Sequence, residues 1–537
     1  TNESGGRLSH MSDALLPAPV EKALDVLPKR AVDWGFRKAM RFGPARERIE
    51  AMYDEMLADA ADGFRPYRDE TTTYARLPEQ GVPRAEVLTT IKDLSARERE
   101  TWESGHVSGA VYHGDPEHIE FLNEVYAATS QANPLHTDIW PSATKYEAEI
   151  VAMTAAMMNA PSSPARSGEA GSRDGHPAQT DRRDRERRVV GSVTSGGTES
   201  LILAIRTYRD WARETKGITK PEVVLPVSAH SAFDKAEEVL GVKMVRIPVG
   251  PDFRGDVAAM SEAITKNTIA LVGSAPGFPH GVVDPIVELS ELALKHGIGL
   301  HVDACLGGFV LPWAEKLGYP VPPFDFRLDG VTSMSADTHK YGYAAKGTSV
   351  LLYRGESLRR YQWFINTEWT GGLYLSPTFA GSRPGALSAA CWAAMVATGE
   401  QGYLDNTKRI LEAAKELRAV IDAQLDVRLL GDPLWVLAFA SDTVDIYRVM
   451  DELHHRGWAL NGLQKPASIH LCTTLRHAQP GIADKFAEDL AAAVEKARAT
   501  PTSSDGMAPM YGMAGSFPVR GAVSSMMRRY LDKVYEL

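Results

Sequence analysis

Cysteine is scarce in this 537-residue chain: Cys305, Cys391 and Cys472 make up the whole set, an odd number with no Cys-x-x-Cys pair. Such a set builds no disulfide framework and suits a reducing compartment, with the cytoplasm as the expected location. Long apolar runs are lacking too. The longest uncharged stretches, Asn267 to Val283 with Pro276 and Pro279 inside it and Pro384 to Gly399, fall short of the roughly 20 residues that a bilayer requires. No stable membrane anchor is expected. Nor is there a basic excess: 59 Lys and Arg against 69 Asp and Glu leave a net charge of −10. That balance argues against nucleic acid or an anionic membrane as the main partner. With 44% apolar and 24% charged residues, the chain reads as an ordinary globular protein, neither disordered nor fibrous.

What is present divides the chain. Residues 1–10, which precede Met11, read as expression-tag residue, and 11–103 as a helical N-terminal segment, with helix spacing clearest from Arg46 to Ala61. Residues 104–400 form the expected large domain and 401–537 a smaller C-terminal α+β domain. Pro161 to Arg188 has seven Arg, five acidic residues and none of the large apolar side chains. It cannot bury a core and reads as a mobile polar insertion. After it, strand-like and helix-like runs alternate. Strands are expected at Val189 to Val193, Val223 to Val227, Lys243 to Pro248, Ile269 to Gly273, Gly299 to Val302 and Gly330 to Met334. Intervening helical segments imply right-handed crossovers and a mostly parallel sheet. From Asp405 to Gln424 a helix opens the C-terminal part.

Three strings on this α/β unit can do chemistry. Thr194-Ser195-Gly196-Gly197-Thr198-Glu199-Ser200 joins a strand to an amphipathic helix. Its glycines and open helical N–H groups suit a phosphate, although the string matches neither nucleotide-binding fingerprint. His301-Val302-Asp303-Ala304-Cys305 ends an apolar strand on an acid, which needs a cationic partner if buried; a protonated heterocyclic nitrogen would serve. Cys305, two residues on, reads as a small polarisable residue beside the same place rather than a catalytic thiol. Ser335-Ala336-Asp337-Thr338-His339-Lys340-Tyr341-Gly342-Tyr343, with Lys346 after it, carries a lysine at another strand end, where desolvation favours Schiff-base chemistry. A phosphate cradle, a strand-end acid and a crevice lysine are together what pyridoxal 5'-phosphate requires. His230, before a helix opened by Ser231 and Asp234 in a capping-box-like pattern, can stack on an aromatic cofactor. No set of residues suits a metal.

These strings resemble the sphingosine-1-phosphate lyases, a family within the fold-type I pyridoxal-phosphate group that also holds the glutamate and aromatic amino-acid decarboxylases. The likeness spans roughly Ser104 to Cys472; TSGGTES, AHSAFDKA and HVDACLGGF are shared widely, whereas SADTHKYGY with Lys346, NPLHTDIWP, GSAPGFPHGVVDP and YLSPTFAGSRPG carry the lyase signal. The resemblance implies a transferase-like large domain and a lyase that splits the C2–C3 bond of a phosphorylated long-chain base by retro-aldol chemistry, giving phosphoethanolamine and a long-chain aldehyde. It further implies that Lys340 binds the cofactor as a Schiff base, Asp303 pairs with the ring nitrogen and His230 stacks on the ring. Gly197, Thr198 and His339 would hold the cofactor phosphate, with Gly381 and Ser382 completing that site from a second subunit of a homodimer. Tyr112, Asn133, His136 and Lys346 would receive the substrate. Lys340, Lys346, Tyr112 and the substrate phosphate all remain candidates for the base at the C3 hydroxyl. Ala345 stands where the family commonly has Pro, and the lack of an anchor places the likeness with soluble bacterial forms. A small-molecule amino-acid decarboxylase and a noncatalytic binding protein on the same fold are the two competing readings.

Overall fold

The computed structural model describes residues 70–161, 182–500 and 520–536, with scattered positions between 38 and 68. The expected tag residues and residues 162–181 of the polar insertion lie outside these. The insertion's last residues are not a loop: they form the helix Arg182–Arg187.

The described chain separates into two compact units. Gly105–Phe439 with His470–Ala487 makes the larger one. Its main sheet has seven strands: β1 Val189–Thr194, β2 Glu222–Pro226, β3 Lys243–Ile247, β4 Thr268–Ser274, β5 Gly299–Asp303, β6 Ser333–Ala336 and β7 Ser349–Arg354. They lie in the order β1-β7-β6-β5-β4-β2-β3. β3, β2, β4, β5 and β6 pair parallel, whereas β7 runs antiparallel to both β6 and β1. Every residue of β4 and β5 is buried, as expected of parallel strands covered on both faces, which carry continuous apolar runs rather than alternation.

Two expectations need correction. β7 was not anticipated, although Ser-Val-Leu-Leu-Tyr-Arg is a short apolar run after a glycine turn; periodicity alone does not mark so brief a strand. Gly385–Ala423 is two helices that meet at a break at Gly399: the second is the helix expected from Asp405, and the first was not expected. That first helix is a buried, alanine-rich surface with little amphipathic pattern to betray it.

The smaller unit comprises the described residues within Thr1–Ser104, Ala440–Ile469 and Glu488–Leu537. Within it Trp458 Nε1 donates to Asp489 Oδ2 at 2.9 Å, and Asp445 caps the helix Ile446–His455 through the Tyr447 N–H. No described helix is long and apolar enough to cross a membrane.

Candidate active site

Topology puts the motifs on one edge. β5 and β6 are parallel neighbours, so the residues after Asp303 and after Ala336 leave the sheet on the same side. β7 runs the other way between β6 and β1, which turns β1 back into the β6 direction. Thr194, at the end of β1, therefore pairs with Ser349 at the start of β7 and opens onto the same edge. Ligand crevices of open α/β sheets lie at such strand ends.

Lys340 is the centre of this edge. Its Nζ stands 2.9 Å from Asp337 Oδ2, and His339 Nε2 is 3.8 Å from the same oxygen. Burial opposes the charge on Lys340, yet the Asp337 carboxylate outweighs it and holds the ammonium above its ordinary range. Burial likewise works against the Asp337 anion, but Lys340 and His339 keep it below the usual carboxylate range. His339 is pulled down, first by burial, and its Nδ1 is buried.

The turn after β1 packs against this group. A Cβ on Gly197 would fall 2.8 and 2.9 Å from the two Asp337 oxygens and 2.9 Å from Cys305 Sγ, so only glycine fits there. A Cβ on Gly196 would stand 3.5 Å from His339 Cε1. The helix Gly197–Lys216 has no side-chain cap at Gly196, which leaves its first N–H groups open to an anion. Glu199 reaches back to accept from the Ser195 N–H at 2.7 Å and also accepts from the Phe379 N–H at 3.1 Å. Thr198 is exposed beside this turn.

Asp303 ends β5 and is buried. Its Oδ1 accepts from the Cys305 N–H at 3.1 Å and from Ser335 Oγ at 3.5 Å, while Ser335 Oγ lies 3.3 Å from His301 Nε2. Since β5 stops at Asp303, Cys305 does not face the crevice by strand alternation. The tight turn closed on the Asp303 carboxylate puts it there, and burial pushes its thiol up, so it is no thiolate.

His230 follows β2 and is exposed. The expected Ser231 cap is absent: Ser231 is itself helical, and His230 Nδ1 accepts from the Ala232 N–H at 3.1 Å instead. Asp234 is occupied by Arg246 at 2.7 and 2.8 Å. An imidazole that caps a helix is fixed in orientation.

Lys346 Nζ lies 4.5 Å from the centre of the Tyr112 ring and 3.3 Å from the His339 carbonyl oxygen, to which it donates. Burial first, then Lys340, draws Lys346 down to about 8. Burial raises the Tyr112 phenol. Tyr112 meets Tyr341 edge-on at 4.8 Å, and Tyr341 is locked by donating to the Thr473 carbonyl at 2.6 Å and accepting from Trp435 Nε1 at 2.9 Å.

The remaining candidates gather elsewhere. Asn133 Nδ2 donates to Ser382 Oγ at 3.1 Å, and Asn133 Oδ1 accepts from the Arg383 N–H at 3.2 Å. His136 sits one turn on, its ring 6.2 Å from that of Trp140. Gly381 lies at Tyr374, whose hydroxyl would be 2.8 Å from a Cβ at that position. Two groups thus emerge, one around Lys340 and one around Ser382. Asp337, Tyr341 and Ser335 went unassigned in the sequence. An acid three residues before a buried lysine was the available signal for Asp337; nothing local marks the other two.

The pyridoxal-dependent decarboxylase conserved domain matches residues 68–438. The sphingosine-1-phosphate lyase of Arabidopsis thaliana is 46% identical over 464 residues, covering 86% of this chain and 81% of that protein. The chain belongs to the sphingosine-1-phosphate lyase family. A solved sphingosine-1-phosphate lyase from Burkholderia pseudomallei superposes with a TM-score of 0.78 at 41% identity, over 88% of this chain and 99% of that one. A glutamate decarboxylase from Lactobacillus brevis reaches 0.66 at 19% identity, over 82% and 99%. That second likeness shows the shared fold-type I architecture.

The residues of this lyase-family edge fit pyridoxal phosphate. An uncapped helix start at Gly197, where no Cβ could stand, beside the His339 imidazole suits its phosphate. A strand-end carboxylate suits a protonated ring nitrogen, and a partly buried primary amine suits its aldehyde.

Proposed function

We propose that the chain is a pyridoxal-phosphate-dependent aldehyde-lyase that cleaves the C2–C3 bond of phosphorylated long-chain bases such as sphingosine 1-phosphate. The products are phosphoethanolamine and a long-chain aldehyde. The observation that carries this reading is the Lys340 amine at the strand-end edge, beside Lys346 and Tyr112, in a chain 46% identical to a curated lyase. When bound, the cofactor supplies an electron-poor ring able to take up the electron pair of the broken bond. Lys340 would hold it covalently, Asp303 would keep a proton at the ring nitrogen, and the His230 imidazole would lie against the ring. Gly197, Thr198 and His339 would hold its phosphate.

Lys346 and Tyr112 face the substrate. A phenol raised by burial donates rather than accepts, so Tyr112 orients oxygen atoms. Lys346, at about 8, exchanges a proton near neutrality and grips a phosphate as an ammonium. Lys346→Ala is expected to raise KM for the phosphorylated base roughly 10- to 100-fold, the worth of one charge-assisted hydrogen bond. The sign of the pH effect follows: the ammonium is present below about 8 and lost above it. KM of the parent protein should climb as pH rises through that value, and the Lys346→Ala profile should lack the step. Unchanged kinetics at both pH extremes would remove Lys346 from the phosphate grip.

The second group supports a homodimer with shared sites. Gly381 and Ser382 follow the hairpin Phe364–Asn366 and Tyr374–Ser376, on which Ile365, Trp369, Leu373 and Leu375 are all more than half exposed. Apolar surface of this kind marks an interface. Because Asn133 is bonded to Ser382, a Ser382 that serves the partner's cofactor brings Asn133 and His136 with it. Sedimentation of the cofactor-loaded protein should give twice the chain mass; a fully active monomer would end the shared-site assignment. Three unpaired, buried cysteines support a cytoplasmic setting.

The test is to incubate the purified protein and pyridoxal phosphate with sphingosine 1-phosphate and, separately, with glutamate, tyrosine and tryptophan. Aldehyde from the lipid alone supports the lyase. Carbon dioxide from an amino acid, without aldehyde, would move the chain to the decarboxylases.

A further inference from the structure

A carboxylate is a poor group to place at an anion cradle, yet Asp337 is placed there. It is buried, and both its oxygens lie within 2.9 Å of the point where a Gly197 Cβ would stand. Oδ2 pairs with Lys340 at 2.9 Å, Oδ1 is buried, and the Ser349 side chain on β7 donates to the carboxyl. One carboxyl therefore touches both the amine and the backbone assigned to the cofactor phosphate. Once the amine has reacted, an ionised Asp337 would be left without its cation, beside a phosphate of like charge, which a buried site tolerates badly.

We propose that Asp337 is a positioning residue that trades partners: it holds Lys340 as an ammonium in the empty site, then takes a proton from it and donates a hydrogen bond to the bound phosphate. The proposal rests on the pyridoxal-phosphate reading. The step balances as follows. One proton passes from the Lys340 ammonium to the Asp337 carboxylate, and the freed lone pair attacks the carbonyl carbon. The two hydrogens left on nitrogen depart with the carbonyl oxygen as water, so a C=N bond replaces C=O and Asp337 retains the first proton. Lys340, His339 and Lys346 face this carboxyl from its own loop, Cys305 from the turn after β5, and Tyr112 from residues 105–115. Of these, the Lys340 ammonium is the cation in direct contact, at 2.9 Å, with the His339 ring farther off at 3.8 Å.

The test separates proton-holding from phosphate contact. Cofactor-free wild-type, Asp337→Asn and Asp337→Ala proteins are loaded with pyridoxal phosphate or with pyridoxal, and the visible Schiff-base band is followed across pH. Without its counter-ion Lys340 gives up its proton sooner, so Asp337→Asn should load with a midpoint about one pH unit or more below wild type. An amide still donates to phosphate; Asp337→Asn should therefore retain pyridoxal phosphate about tenfold better than Asp337→Ala, with no such gap for pyridoxal. A wild-type pH midpoint in Asp337→Asn, or equal retention by both variants, overturns the proposal. If the Asp337 variants do not fold, the ratio of pyridoxal phosphate to pyridoxal retention is measured in the Lys346→Ala protein, which lacks the Lys346 titration. That ratio should fall as pH rises above about 7, where the phosphate is already dianionic; a flat ratio also overturns the proposal. Absence of a Schiff-base band in wild type would instead overturn the cofactor reading itself.

Discussion

Lys340→Ala is expected to form no long-chain aldehyde above background, a fall in kcat of more than about 10⁴-fold, the scale on which removal of a covalently acting residue is felt. The reason is structural as well as chemical. Lys340 is the primary amine at the shared strand-end edge, held by Asp337 and sited beside the open helix start of Gly197–Lys216. Lys346 is no substitute, because it projects past Tyr112 and donates to the His339 carbonyl. Alanine also strands the Asp337 carboxylate, and breaking a buried pair from one side costs roughly 3–5 kcal/mol; the partly exposed Lys340 side chain puts this case toward the low end. Loss of activity could thus be confused with loss of fold. The double variant Lys340→Ala/Asp337→Asn removes the stranded charge and should recover thermal stability without recovering aldehyde formation. Turnover by Lys340→Ala at the wild-type rate, read by mass spectrometry of the aldehyde, would sink the Schiff-base assignment.

The second large effect is expected at Asp303. Asparagine keeps the shape and an oxygen that can still accept from the Cys305 N–H and Ser335 Oγ, so the turn after β5 should survive. What it cannot do is hold a proton on a ring nitrogen by opposite charge. Asp303→Asn is therefore expected to keep cofactor and fold while kcat drops on the order of 10²–10⁴-fold, the range associated with a positioned proton-holding group. A stability curve matching wild type, measured together with the cofactor absorption band, separates this from unfolding. Activity within about twofold of wild type would show that Asp303 serves only as the acceptor that shapes the Cys305 turn.

The contrast between His230 and Ser231 shows where local reading stops. Ser-x-x-Asp is a reasonable capping signal, but Arg246 on β3 claims the Asp234 carboxylate and the cap passes to the His230 ring. A long-range ion pair overrode a short-range preference. β7 was passed over for a related reason: its apolar residues are buried by neighbours distant in sequence, and the antiparallel insertion between β6 and β1 is a matter of pairing, not of pattern.

The sequence by itself determined the α/β class and which residues end its strands. Alternating strands and helices dictate a mostly parallel sheet, and glycine turn, strand-end acid and strand-end lysine each sit where a strand stops. These features are local, set by hydrophobic period and by residue type within a few positions. Only the tertiary structure decided that Asp337 faces Lys340 across Gly197, that Tyr341 braces Tyr112, and that Asn133 and Ser382 meet 249 residues apart. Such pairings depend on strand order and on the packing of side chains contributed by separate segments, and burial then fixes their charges; no short-range signal carries that information.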